Sequence, residues 1–104
     1  MNLRDLQLEV GAWALRNFPT AEKWEPLVGM QEELGELSHA FLKIKQGIRT
    51  NEDHATDMKD AVADLLIFTA HFCSLNNIDL DAALELTWAE VRQRNWKQNP
   101  ETGK

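Results

Sequence analysis

Apolar residues recur at every third or fourth position through most of this chain, which is the spacing of amphipathic helices. Leu3, Leu6, Val10 and Trp13 keep it, with Asn17 next at the same spacing, predicting a first helix from residue 3 to about 17, ended near Phe18-Pro19. Pro26 suits a first helical turn, and Leu27, Met30, Leu34, Leu37, Phe41 and Ile44 carry a second helix to Gln46-Gly47, where glycine stops it. A third helix is expected to be capped by Thr50 or Asn51. Its stripe of Met58, Ala61, Leu65, Phe68 and Phe72 runs to a break at Asn76-Asn77. Asp79 or Asp81 can cap a fourth helix with Leu80, Ala83, Leu84, Thr87, Trp88 and Val91, followed by a polar tail from about residue 98. No strand-like alternation of useful length interrupts this, so the expectation is an all-α, four-helix, bundle-like domain over residues 1–104. Each chain buries limited area in such short helices, which points to completion by oligomerisation, as a homodimer or homotetramer.

Composition narrows the class. At 104 residues and 43% hydrophobic content the chain can build one small core. A net charge of -6 argues against a polynucleotide groove or an anionic membrane surface, where clustered Lys and Arg are expected. Cys73 is the single cysteine and falls in an apolar helical run, so it reads as a small core residue. It allows neither an intrachain disulfide nor a cysteine-based zinc site. No signal-peptide core and no apolar run near ~20 residues is found, and a cytoplasmic location is expected.

Two acidic clusters interrupt the pattern. Glu32, Glu33 and Glu36 stand in Glu-Glu-Leu-Gly-Glu-Leu on the second helix, and Asp57, Asp60 and Asp64 lead into Leu65-Leu66-Ile67-Phe68 on the third. Helical spacing puts Glu33 and Glu32 over Glu36, and Asp60 over Asp64, as carboxylate ladders that destabilise an isolated helix by roughly 0.2–0.5 kcal/mol per pair. Asp64 lies beside the apolar stripe of Ala61, Leu65 and Phe68 and is expected to be partly buried, needing a partner, a proton or a metal. A short connection, roughly 5–8 residues, would fold the two helices into an antiparallel hairpin and bring the clusters level. Hard oxygen ligands of this kind suit magnesium, with manganese able to substitute.

Glu32-Glu33-Leu34-Gly35-Glu36-Leu37, followed across a bend by Asp60-Ala61-Val62-Ala63-Asp64, resembles the MazG-like, all-alpha nucleoside triphosphate pyrophosphohydrolases over most of the chain. That family carries Glu-Glu-x-x-Glu on one helix and Glu-x-x-Asp on the next, with magnesium between them. The resemblance implies Glu33, Glu36 and Asp64 as metal ligands. The family's second-motif glutamate falls on Ala61, and Asp60, one position earlier, stands in for it. Members resembling this chain cleave between the α and β phosphates of a nucleotide, giving a monophosphate and pyrophosphate. Glu32 is the candidate for activating the attacking water or binding a second metal. Arg94 and Lys97, near Arg92, Asn95 and Trp96, are the candidates for the triphosphate.

Each feature has a plainer reading. Glu32 can be a solvated helix-surface residue, and Asp57 a first-turn residue favoured by the helix dipole, which leaves it out of the site. The basic residues after Val91 can simply complement a helix C-terminus. Trp13 and Phe18 could stack on a base, although core packing is favoured. Glu36-Leu37-Ser38-His39 is a Glu-x-x-His pattern of the di-iron type, but neither His54 nor His71 supplies the second copy such a site needs, so His39 reads as a surface residue or one behind the ligands. The rival to the enzyme is a non-catalytic helical protein with a degraded site, binding a cation or partner through its acidic clusters.

Overall fold

The helices begin and end where local chemistry can satisfy their free backbone groups. The computed structural model describes every residue from Met1 to Lys104, in four helices: α1 (Leu3–Asn17), α2 (Glu25–Gln46), α3 (His54–Leu75) and α4 (Leu80–Val91). Asn2 caps α1 by accepting from the Asp5 amide at 2.9 Å. Pro26 occupies the first turn of α2, where its missing N–H costs nothing. Gly47 closes α2 in the left-handed region at φ 66°, with its own amide donating to Ile44 and that of Ile48 to Lys43, a Schellman ending.

The cap of α3 is Asp53, not Thr50 or Asn51. Its carboxylate accepts from both the amide and the hydroxyl of Thr56, at 3.1 and 2.8 Å. The connection, residues 47–53, has the expected length, and Arg49 within it stands in the left-handed region at φ 51°. Asp79 caps α4 by accepting from the Ala82 amide at 3.1 Å.

The central helix is α3. It packs most extensively against α2 and also against α1, where Gly11 meets Ser74 near the end of α3, while α4 touches α1. Gly29 lets α2 approach closely, since a Cβ there would meet the Phe68 ring at 2.3 Å. The buried apolar residues are small, namely Val10, Ala14, Ala40, Ala61, Ala70 and Cys73, with Pro26 the largest side chain fully enclosed; Glu33, His54 and His71 are buried beside them. Cys73 is therefore a core residue as its setting predicts. Between α3 and α4 the chain bends by 109°, and Gln7 of α1 clamps this corner, donating to the Ile78 carbonyl at 2.6 Å and accepting from the Leu80 amide at 2.9 Å.

Two predicted stripes lie outside this core. On α2, Leu34 and Phe41 are 53% and 65% exposed, and on α4 no residue is buried. Residues 98–104 do not trail away. The Asn95 amide donates to the Gly103 carbonyl at 2.6 Å and the Gly103 amide to the Asn99 carbonyl at 2.7 Å, closing the tail into consecutive turns. No single helix is long and apolar enough to cross a membrane.

The molecule is open for its size. Its radius of gyration is 17.1 Å, against ~13 Å for a compact domain of this length. Its accessible surface is 8034 Å², against ~5,900 Å² for a compact monomer of this mass.

Candidate functional site

Glu33 is the one carboxylate that α2 turns toward α3, and it is only 7% exposed. Gly29 faces Phe68. Four residues onward on α2 and four back on antiparallel α3, Glu33 and Asp64 come level, and Glu36 comes level with Ala61. The remaining geometry follows at 100° per residue. Taking Glu33 and Ala61 as the facing positions, Glu32 and Glu36 turn to one flank of the hairpin, and Asp60 and Asp64 turn to the same flank. Leu34 and Phe41, with Val62 and Leu66, turn to the other. The hairpin thus has an acidic flank and an apolar flank.

On the acidic flank the electrostatics concentrate on Glu33. Burial, then the charges of Glu36, Asp64 and Glu32, raise its carboxyl above the ordinary 4.5. Its Oε2 is enclosed and has no hydrogen-bond partner, an arrangement that costs a buried carboxylate dearly unless a proton or cation compensates it. Asp60 is not among the charges acting on Glu33.

Asp64 departs from expectation, for it is exposed. The α2–α3 contact is carried by Ala61, Leu65 and Phe68, and Asp64 sits one step round the helix, at the rim of the contact. Glu32, Glu36 and Asp60 are exposed as well, and Ala61 is 2% exposed against α2. No group of three His, Cys, Asp or Glu side chains converges in metal-ligating geometry. Of the predicted set, the structure brings Glu36, Asp64 and Glu32 within electrostatic reach of Glu33, and Asp60 is not among the charges that act on it.

Glu33 and Asp64 line a cavity of about 800 Å³ whose other walls come from α1, the α1–α2 connection, the start of α2 and the second half of α3. Trp13 and Phe18 stand in it, 45% and 55% exposed, with ring centroids 5.6 Å apart and planes at 75°. The core placement favoured for these two rings is therefore corrected. Phe18 follows the end of α1, and the chain turning at Phe18-Pro19 carries its ring against Trp13 and not inward. Glu9, Glu25 and His71 also border this cavity. Burial lowers the His71 pKa, opposed by the charge of Glu25, and so favours the neutral imidazole. A second cavity, of about 810 Å³ between α1 and the end of α3, contains none of the clustered carboxylates.

Arg94 and Lys97 are not brought to the carboxylates. The 109° corner carries α4 away and the helix stops at Val91, so both lie exposed in the turns beyond it. Arg94 lies over the Trp96 ring at 5.8 Å and borders a separate recess with Glu90, Gln93 and Lys104. No Arg or Lys lines the cavity that holds Glu33. His39 is exposed, in keeping with a surface role.

Sequence reasoning missed Glu9, Glu25 and His71 as cavity neighbours. They sit on three different helices and carry no spacing signal relative to one another. Comparison with protein-family models, with curated proteins and with solved structures gave no match. Geometry alone therefore defines the class: an all-helical protein with a buried, uncompensated carboxylate in the wall of an aromatic-bordered cavity.

Proposed function

We propose that this chain is a magnesium-dependent nucleoside triphosphate pyrophosphohydrolase. It would cleave the α–β bond of a ribo- or deoxyribonucleotide, working in the cytoplasm as an assembly of two or four copies, in a role such as clearing the nucleotide pool. The observation that carries this reading is Glu33. A carboxylate that is buried, flanked by three like charges and lacking a partner for Oε2 is a poor stabilising element and a good cation ligand.

Glu33, Glu36 and Asp64 would hold the metal, with Asp60 joining from the rim. Bound magnesium, or manganese in its place, supplies neutralisation of phosphate charge and a lowered pKa for coordinated water. The triphosphate would rely on that charge, since the cavity offers no cationic side chain. Glu32, exposed on the acidic flank, would accept the proton of the attacking water. As the water oxygen bonds to the α phosphorus, the bond to the bridging oxygen breaks, and pyrophosphate leaves with the electron pair. Trp13 and Phe18 offer rings on which the nucleoside can stack.

The rival reading, a non-catalytic protein that binds a cation or partner, rests on Ala61, which fills a ligand position of the resembled motif with a methyl group. One assay separates the two. Pyrophosphate release is measured from a panel of canonical and modified triphosphates with magnesium, with manganese and with chelator. Metal-dependent pyrophosphate with a matching monophosphate supports the enzyme, and orthophosphate alone means a different bond is cut. No turnover on any nucleotide favours the rival.

A further inference from the structure

We infer that the cavity beside Glu33 receives a guanine base, read by Glu25 and His71. His71 is only 9% exposed, lines this cavity and makes no hydrogen bond within the chain. A buried imidazole left without partners costs stability unless something else supplies them. Gly29 faces Phe68, so one turn back on α2 Glu25 comes level with Phe72, beside His71. The charge of Glu25 reaches His71, yet the two are not hydrogen-bonded, and both keep free hydrogen-bonding positions.

This inference rests on the reading above, in which Glu33, Glu36 and Asp64 hold the metal and its phosphates. His71 lies seven residues beyond Asp64 on the same line of α3, roughly 10 Å along the axis, and Glu25 lies eight before Glu33, roughly 12 Å along α2. That is the reach from the α phosphate of an extended nucleotide to the far edge of its base. Trp13 and Phe18 border the same cavity and offer stacking faces.

Chemistry then selects the base. Away from Glu33 and Asp64, the polar side chains of the cavity are Glu9, Glu25 and His71. An ionised carboxylate only accepts hydrogen bonds, through two oxygens side by side. Guanine alone among the common bases presents two adjacent donors, its ring N1–H and its amino group, which match those oxygens. Its O6 beside them accepts from the neutral imidazole of His71, the form that burial favours. Adenine and cytosine set a ring-nitrogen lone pair next to the amino group, and uracil and thymine flank one N–H with two carbonyls. Each of these edges brings a lone pair against Glu25, and the charge of Glu9 adds to the repulsion.

The test is kcat/KM for pyrophosphate release from guanosine, inosine, adenosine and cytidine triphosphates, in wild type, Glu25→Gln and His71→Leu. Guanosine should lead adenosine and cytidine by roughly ten- to a hundredfold, with inosine, which lacks the amino group, in between. Glu25 is exposed, so Glu25→Gln leaves the fold in place. Its amide matches the donor and acceptor of adenine, so guanosine should lose roughly ten- to a hundredfold while adenosine gains, a reversal that general damage would not produce. His71→Leu removes the donor to O6 and should weaken guanosine and inosine alike. Calorimetric binding of the α,β-methylene analogues of guanosine and adenosine triphosphate, which cannot be cleaved at that bond, reads the same preference without turnover. Guanine preferred in binding with nothing hydrolysed would overturn the hydrolase and leave the base site standing. No preference for guanine in either measurement, or one that Glu25→Gln leaves unchanged, would overturn this inference.

Discussion

Glu33 concentrates what is unusual about this protein into one carboxyl group. Its pKa is raised, so the folded chain holds that proton more tightly than the unfolded chain does. The stabilising contribution is complete below the ordinary 4.5 and fades as pH rises through the folded value. Without metal, Glu33→Gln should therefore melt higher than wild type at pH 7, and the gap should close as pH falls toward 4. Thermal melts in chelator across that range check it, and a gap independent of pH would remove Glu33 from the account. Magnesium should raise the melting point of wild type and leave that of Glu33→Gln unmoved. At the same scale, Glu36→Gln and Asp64→Asn should each abolish metal-dependent pyrophosphate release while circular dichroism stays helical. Full activity in either would sink the ligand assignment. The carboxylate spacing that suggests this site is visible in the sequence. The burial of Glu33 and exposure of Asp64 are not, because one step of helical rotation decides each and no pattern resolves rotation that finely.

At the scale of elements, helical periodicity locates all four helices and both hairpin partners, but it is silent on what holds them together. Gly29 looks like a weak point in α2, yet it is where Phe68 packs closest. Gly29→Ala gains about 1 kcal/mol of helix propensity. It also places a methyl group against the Phe68 ring, which must shift to admit it, an overpacking that costs about 1–3 kcal/mol. Net destabilisation is expected, read by denaturant midpoint. Gly35→Ala, which meets nothing within 4 Å, should instead stabilise by about 1 kcal/mol. The corner between α3 and α4 depends on Gln7, a residue that sequence reading passes over as a polar position on an amphipathic helix. Gln7→Ala leaves the Ile78 carbonyl and the Leu80 amide without their partner, at about 1–2 kcal/mol. Faster hydrogen exchange of the Leu80 amide, with α2 and α3 unchanged, is the expected result.

For the whole molecule, the same periodicity that finds the helices misleads about the core. A stripe such as Leu34 and Phe41 has one appearance in sequence whether it is buried by its own chain or by another, because the spacing that suits α3 also suits a second hairpin. Only the surface left over after folding distinguishes the two, and here that surface is large. Stability should accordingly follow mass action. If unfolding separates two chains, each tenfold rise in concentration adds about 1.4 kcal/mol to the unfolding free energy. For an assembly of roughly 200 residues this raises the melting temperature by roughly 3–6 °C. Calorimetry over two decades of concentration should show that slope in wild type and in Gly35→Ala. Phe41→Glu should melt lower and independently of concentration, since its folded chains no longer share a contact. A wild-type melting point that does not move with concentration would mean that each chain is stable with its apolar flank in water.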